Sequence, residues 1–396
     1  MMPFHPASVL LPFIGLALAG ALALGLCLLV AAVCRRLGWL DQPTPRRTHR
    51  RPTPRLGGIA IFLAFLITSW LLYRPATPFE GRVIGGMLVA LAIIVAVMAY
   101  DDIRGLPPSL KLATQTAAAL IIMFPAGRGM IIEVIHNPLL SADHGRIWLP
   151  LWLAVPFTWF WLTGMMNTIN WVDGLDGLAG GVVTIAALVM AAISWTLGQP
   201  GAALLCAILA GATLGFLPLN GLFGLRPARL FMGDCGAMFL GLALATLANV
   251  GGARLATTLI LLGLPICDAV RVVVWRLQRR SPIWQFDRAH LHHLLLAGGL
   301  SPRRIVWLFY SITALFGGVI ILTTYLGEQL GAPGAGIDWS FQWSLAPWLP
   351  SQLSRFIFTA SALTALLELA LVTLTVVYLW RLTRRPGDEH EGMSTQ

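Results

Sequence analysis

The chain of 396 residues is 57% hydrophobic and 11% charged, with a net charge of +10. Soluble domains carry about 25% charged residues, so this composition excludes an ordinary soluble domain and points to a multi-spanning membrane protein. The 27 basic residues are scattered between apolar runs and form no basic domain, which excludes nucleic acid as the expected partner and makes the charge a topology signal first.

Apolar runs predict eleven spans, near 9–34, 56–73, 83–100, 110–125, 148–167, 177–197, 201–221, 235–253, 255–275, 304–327 and 353–380. The first run is too long for a signal-peptide core and reads as a retained span. The expected fold is all-α and polytopic, a single integral-membrane domain over 1–396, with motifs confined to 43–304, two further spans in 305–380 and a tail at 381–396. Placing the N-terminus outside and the C-terminus in the cytoplasm leaves only Arg74, Arg82, Arg128, Arg146, Arg254 and Arg355 on the outer side. Every other basic residue then lies on the cytoplasmic side, a strong positive-inside bias. Cys27, Cys34, Cys206, Cys235 and Cys267 lie in or beside apolar runs without metal spacing, and read as small buried hydrophobes.

Five polar stretches interrupt the spans, all on the predicted cytoplasmic side. PTPRRTHRRPTPRLGG (43–58) places His49 among arginines, and Arg55 before a glycine pair; it suits either anionic headgroups or a topology anchor. AYDDIRGLPPSLKLATQ (99–115) ends the third span in Asp101 and Asp102. Neighbours on a helix point about 100° apart, so these two divide their work between different partners. Lys111, the only lysine in the chain, is a flexible point charge suited to phosphate. NTINWVDGLDGL (167–178) spaces Asn167, Asn170, Asp173 and Asp176 three apart, either on a drifting helical face or along a 3₁₀ turn. FMGDCGAMFLG (231–241) puts Asp234 at the start of a span, as a helix cap or a magnesium ligand. FDRAHLHHLLLAGG (286–299) gathers Arg288, His290, His292 and His293. Its H-x-H-H spacing does not match a helical zinc pair, and a pyrophosphate clamp fits it better. Asp268 lies inside the preceding span, where an ionisable group is a functional hypothesis by default.

Carboxylates for a divalent metal, amides for a polar ligand and cations for phosphates on one face are the needs of phosphoryl transfer. A proton- or cation-coupled transporter is the competing class. It predicts midplane carboxylates and an internal repeat, whereas here the carboxylates crowd one interface.

These five motifs, in this order over residues 43–304, resemble the polyprenyl-phosphate N-acetylhexosamine-1-phosphate transferases of glycosyltransferase family 4. The HLHH form is similar to the WecA/TagO branch, related to MraY. The resemblance implies transfer of N-acetylglucosamine 1-phosphate from UDP-N-acetylglucosamine to undecaprenyl phosphate at the cytoplasmic face of a bacterial inner membrane, with UMP released. Another UDP-N-acetylhexosamine or UDP-MurNAc-pentapeptide remains open as donor. It implies Mg²⁺, with Mn²⁺ as substitute, and points to a homodimer. It assigns Asp234 and Asp173 to the metal, and Asp101, Asp102, Asp173, Asp176 and His290 to catalysis. Lys111, Asn170, Arg288, His292, His293, His49 and Arg55 go to substrate binding. Either Asp101 or Asp102 is expected to take a proton from the lipid phosphate or orient it; direct attack and an aspartyl-phosphate route are both open. Cys235-Gly-Ala departs from the Ser/Thr-Gly-Ser more usual in such sequences.

Overall fold

The structure, a computed structural model, describes residues 6–42, 51–127, 129–136, 146–221, 224–250, 255–282, 284 and 289–329. The first eight expected spans are occupied in order by α1 (Pro6–Leu37), α2 (Gly57–Leu72), α3 (Pro78–Arg104), α4 (Pro108–Met123), α5 (Leu151–Val172), α6 (Leu178–Thr196), α7 (Pro200–Phe216) and α8 (Gly233–Val250). Prolines open α3, α4 and α7. The fixed φ of proline suits a first helical turn, where its missing N–H has no intrahelical partner to lose. Stretches of α1, α3, α6 and α8, and residues Pro302–Leu322 of a later helix, are long and apolar enough to cross a membrane; α2 and α7 are shorter apolar helices.

The ninth expected span, 255–275, is divided into α9 (Leu255–Leu261) and α10 (Gly263–Gln278). Pro265 has no N–H to give to Leu261, and its ring crowds that carbonyl, so the helix restarts. A short helix not anticipated from periodicity, α11 (Leu291–Ala297), follows, and α12 (Pro302–Gln329) takes the tenth span. The eleventh span, 353–380, and the tail lie outside the described residues.

Two short strand pairs depart from a purely helical expectation. β1 (Leu40–Asp41) pairs antiparallel with β2 (Thr53–Pro54), and β3 (Val134–His136) with β4 (Arg146–Trp148). The first pair matters for the site, because its chain continues into a backbone zip. Phe231 N–H donates to the Pro54 carbonyl at 2.8 Å, and Gly57 and Gly58 N–H donate to Phe231 and Met232 carbonyls at 2.9 Å each. The starts of α2 and α8 are thereby locked together. Contact is so close that a Cβ on Gly58 would lie 2.1 Å from the Gly236 nitrogen.

α1 packs against α7, α3 and α5 pack against α8, and α12 packs against α6. Phe65, Phe216 and Phe239 are fully buried between these helices, while Phe13, Trp70, Trp152 and Phe160 stay largely exposed. Large apolar side chains pointing outward over so much of a helical surface mark contact with lipid.

Candidate active site

The site forms where the ends of α2, α3, α4, α5 and α8 meet. α8 begins with a glycine because Gly233 adopts φ +75°, and a Cβ there would fall 2.3 Å from the Arg55 carbonyl and 2.4 Å from Asp102 Oδ2. The first amides of a helix lack intrahelical acceptors. Here a carboxylate from another helix supplies them: Asp234 N–H donates to Asp102 Oδ1 at 2.9 Å, and Cys235 N–H donates to Asp102 Oδ2 at 3.1 Å. The negative group sits at the positive end of the α8 dipole.

From Asp102 a chain of alternating charge runs across the site. Arg55 Nε lies 3.2 Å from Asp102 Oδ1, and its Nη2 lies 3.3 Å from Asp234 Oδ1. Lys111 Nζ lies 2.9 Å from Asp234 Oδ2 and 2.6 Å from Asp101 Oδ2. The remaining oxygen of Asp101 accepts the Leu106 N–H at 2.7 Å, closing the turn from α3 to α4. Asp101 and Asp102 therefore serve different partners, as their angular separation on the helix requires. Oxygens of Asp101, Asp102 and Asp234 all lie within 4.8 Å of one another. An all-carboxylate donor set of this kind fits a hard divalent cation such as Mg²⁺ or Mn²⁺.

The period-three series that runs from the last turns of α5 into the following loop divides among separate tasks. Asn167 and Gln115 exchange side-chain hydrogen bonds at 2.9 and 3.3 Å, joining α5 to α4. Asn170 hydrogen-bonds the Asp234 carboxylate. Asp173 caps the end of α5. Burial, then the neighbouring Asp234 carboxylate, pushes its carboxyl up to about 7 against the pull of Arg55. Asp173 is not part of the tight group formed by Asp101, Asp102 and Asp234. Asp176 turns to the preceding loop of α8, where its Oδ2 accepts the Ala228 N–H at 2.9 Å.

The histidines gather near the end of α5, beside Trp171 and Gly174. His290 Nδ1 lies 3.0 Å from Asp268 Oδ2, and its ring centroid is 5.5 Å from that of Trp171, the residue after Asn170. His292 was expected among the phosphate-facing groups. The structure instead buries it, 2% exposed, with Nε2 packed against Gly174 so closely that a Cβ there would come within 2.1 Å. Burial, with His293 beside it, lowers the His292 imidazole to about 3. A neutral ring meets a ligand through a hydrogen bond rather than through charge. The His293 ring lies tilted beside His292, with centroids 4.2 Å apart. His49 and Arg288 lie outside the described residues.

Pattern reading passed over Gln115 and Trp171. Gln115 lies one helical turn after Lys111 and so shares its face, a signal available from spacing. Trp171 left no such signal, because its contact with the buried Arg276, 5.7 Å over its ring, spans two distant segments.

The sequence model of glycosyl transferase family 4 matches residues 84–252. The chain is 33% identical over 294 residues to the probable undecaprenyl-phosphate N-acetylglucosaminyl 1-phosphate transferase of Bacillus subtilis (strain 168), covering 73% of this chain and 78% of that one. It is 32% identical over 311 residues to the decaprenyl-phosphate N-acetylglucosaminephosphotransferase of Mycobacterium leprae, covering 71% and 76%. It is 26% identical over 308 residues to the undecaprenyl-phosphate alpha-N-acetylglucosaminyl 1-phosphate transferase of Escherichia coli (strain K12), covering 74% and 78%.

Proposed function

The chain belongs to glycosyl transferase family 4 and is a phosphotransferase, and from that premise we propose that it transfers N-acetylglucosamine 1-phosphate from UDP-N-acetylglucosamine to undecaprenyl phosphate, releasing UMP. The product, undecaprenyl-diphospho-N-acetylglucosamine, starts a lipid-linked envelope glycan. The reaction takes place at the cytoplasmic face of the inner membrane. The observation that carries this reading is the run Asp102–Arg55–Asp234–Lys111–Asp101 at one end of an apolar bundle. Carboxylates of the kind that suit a divalent metal and cations of the kind that suit phosphate form one connected group there.

Asp234, with Asp101 and Asp102, would hold Mg²⁺, which offsets negative charge on the diphosphate when bound. The chain's own share is positioning and charge. Lys111 and Arg55 draw the phosphates of donor and acceptor to the carboxylate group, and Asn170 orients Asp234 from the side of α5. A phosphate monoester has a second pKa near 6, so the lipid phosphate is already largely the dianion at neutral pH. Proton removal is then a small part of the barrier, and the expected base role of Asp101 or Asp102 gives way to a holding role. Both oxygens of each already bind donors, which favours direct attack of the lipid phosphate oxygen on the β-phosphorus over an aspartyl-phosphate route.

The test is purified protein with undecaprenyl phosphate and UDP-N-acetylglucosamine, in Mg²⁺ or in EDTA, with UMP and lipid product followed together. Metal-dependent product that disappears in Asp234→Ala supports the reading. Product only with a different UDP-N-acetylhexosamine changes the donor and keeps the chemistry. No turnover of any nucleotide sugar by folded protein refutes it.

A further inference from the structure

Outside the carboxylate group, α10 carries a second buried carboxylate that the proposed reaction does not use. Asp268 is 3% exposed and lies one turn into α10. Its Oδ1 accepts the Leu291 N–H at 3.0 Å and the Arg271 guanidinium at 2.7 Å. The same Arg271 nitrogen also donates to the Ala289 carbonyl. Arg271 and Asp268 thus hold the chain on both sides of His290, and Asp268 supplies the acceptor that the first amide of α11 lacks. Its Oδ2 is left for His290 Nδ1, at 3.0 Å.

A carboxylate that takes an amide and a guanidinium on one oxygen is the ionised form, and an ionised carboxylate only accepts hydrogen bonds. The proton between the pair therefore belongs to Nδ1. Which nitrogen of a histidine carries the proton is set by the bond its other nitrogen makes. Among the described residues, Asp268 is the partner found at hydrogen-bonding distance from Nδ1. Trp171 from α5 lies tilted beside the ring, with centroids 5.5 Å apart and Arg276 over the indole, and His292 from α11 is stacked with centroids 6.1 Å apart, with His293 next to it.

We propose that Asp268 is a positioning residue for the transfer reaction: it fixes His290 in the Nδ1–H form, with the ring clamped against Trp171 and Nε2 presented to the sugar-phosphate part of the donor. The catalytic use of His290 rests on the proposed transfer reaction and on the role that the family resemblance gives this residue; the dyad itself rests on neither. With Asp268 removed, the ring keeps Trp171 on one side but loses its tautomer and its rotational stop. Nε2 then carries the proton and no longer presents the same group to substrate.

The test uses the full-length protein in lipid nanodiscs, labelled with ¹⁵N-histidine, with the His290 signals assigned by their loss in His290→Gln. Above the pH at which the ring titrates, wild-type His290 is expected to show a protonated Nδ1 and an unprotonated Nε2. Asp268→Ala is expected to shift it to the Nε2–H form and to lower kcat/KM by about 10–100-fold, the usual range for losing a group that orients a functional histidine. Asp268→Asn, whose amide oxygen can still accept from Nδ1, is expected to keep the tautomer and recover part of the activity. An Nε2–H ring in the wild type, or an unchanged tautomer in Asp268→Ala, overturns the proposal. So does an equal loss in the Ala and Asn variants without a tautomer change, which is the outcome for a mere cap of α11. Should Asp268→Ala not fold, the wild-type and Asn spectra still decide. The tautomer is read without substrate, so failure of the transfer reading and failure of this dyad are separate results.

Discussion

Replacing Asp102 tests whether the aspartate pair is chemical or architectural. Its side chain is fully buried, and it holds two backbone amides of α8 at 2.9 and 3.1 Å together with Arg55 at 3.2 Å. A hydrogen bond to a charged group contributes about 1.5–3 kcal/mol, so the two amides together are worth roughly 3–6 kcal/mol. Truncation also removes the cost of burying the carboxylate, which offsets part of this. Arg55 is a third exposed and keeps Asp234 at 3.3 Å, so its lost ion pair adds little. Asp102→Ala is therefore expected to destabilise the fold by about 2–4 kcal/mol, and Asp102→Asn by about half of that, because one amide keeps an oxygen to meet. The assay is unfolding of the metal-free protein in detergent, paired with hydrogen exchange at the amides of residues 234–236. The expected order of stability is wild type, then Asn, then Ala, with faster exchange confined to the start of α8. Wild-type stability and exchange in Asp102→Ala, with turnover abolished, would refute the capping argument and return Asp102 to chemistry alone.

Three further outcomes are expected. Gly58→Ala drives a methyl group into the backbone of Gly236, and should cost about 1–3 kcal/mol or more while separating α2 from α8; unchanged stability and turnover would show that the crossing can relax. Lys111→Met leaves Asp101 and Asp234 without the cation between them and should lower kcat/KM by at least about 100-fold, with Lys111→Arg failing to restore it because a planar fork does not replace a point charge between two carboxylates. His292 titrates near 6.5 when unfolded and near 3 in place. The unfolded chain therefore binds the extra proton between those values, and stability should fall as pH drops through this window, by about 1.4 kcal/mol per unit. Comparing the acid slope of unfolding in His292→Leu with wild type checks this, and identical slopes would contradict it.

Much of the architecture was open to direct reading. Long apolar runs set the helices, because a helix satisfies its own backbone in lipid and little else can. Asp101, Asp102, Lys111, Asn170 and Asp234 stood out because charge and amide groups are rare in so apolar a chain. Residue type and spacing therefore determined which elements form and which residues are candidates. Tertiary structure decided what each candidate holds. Asp102 became the cap of α8, Asp176 tied down a loop, and His292 turned inward onto Gly174, since each partner comes from a distant segment. The break at Pro265 had a local cause, yet α11 has none: its start depends on Asp268, 23 residues earlier. Periodicity reports which face of a helix is buried. A hydrogen bond between segments far apart in the chain exists only once the helices carrying them have packed.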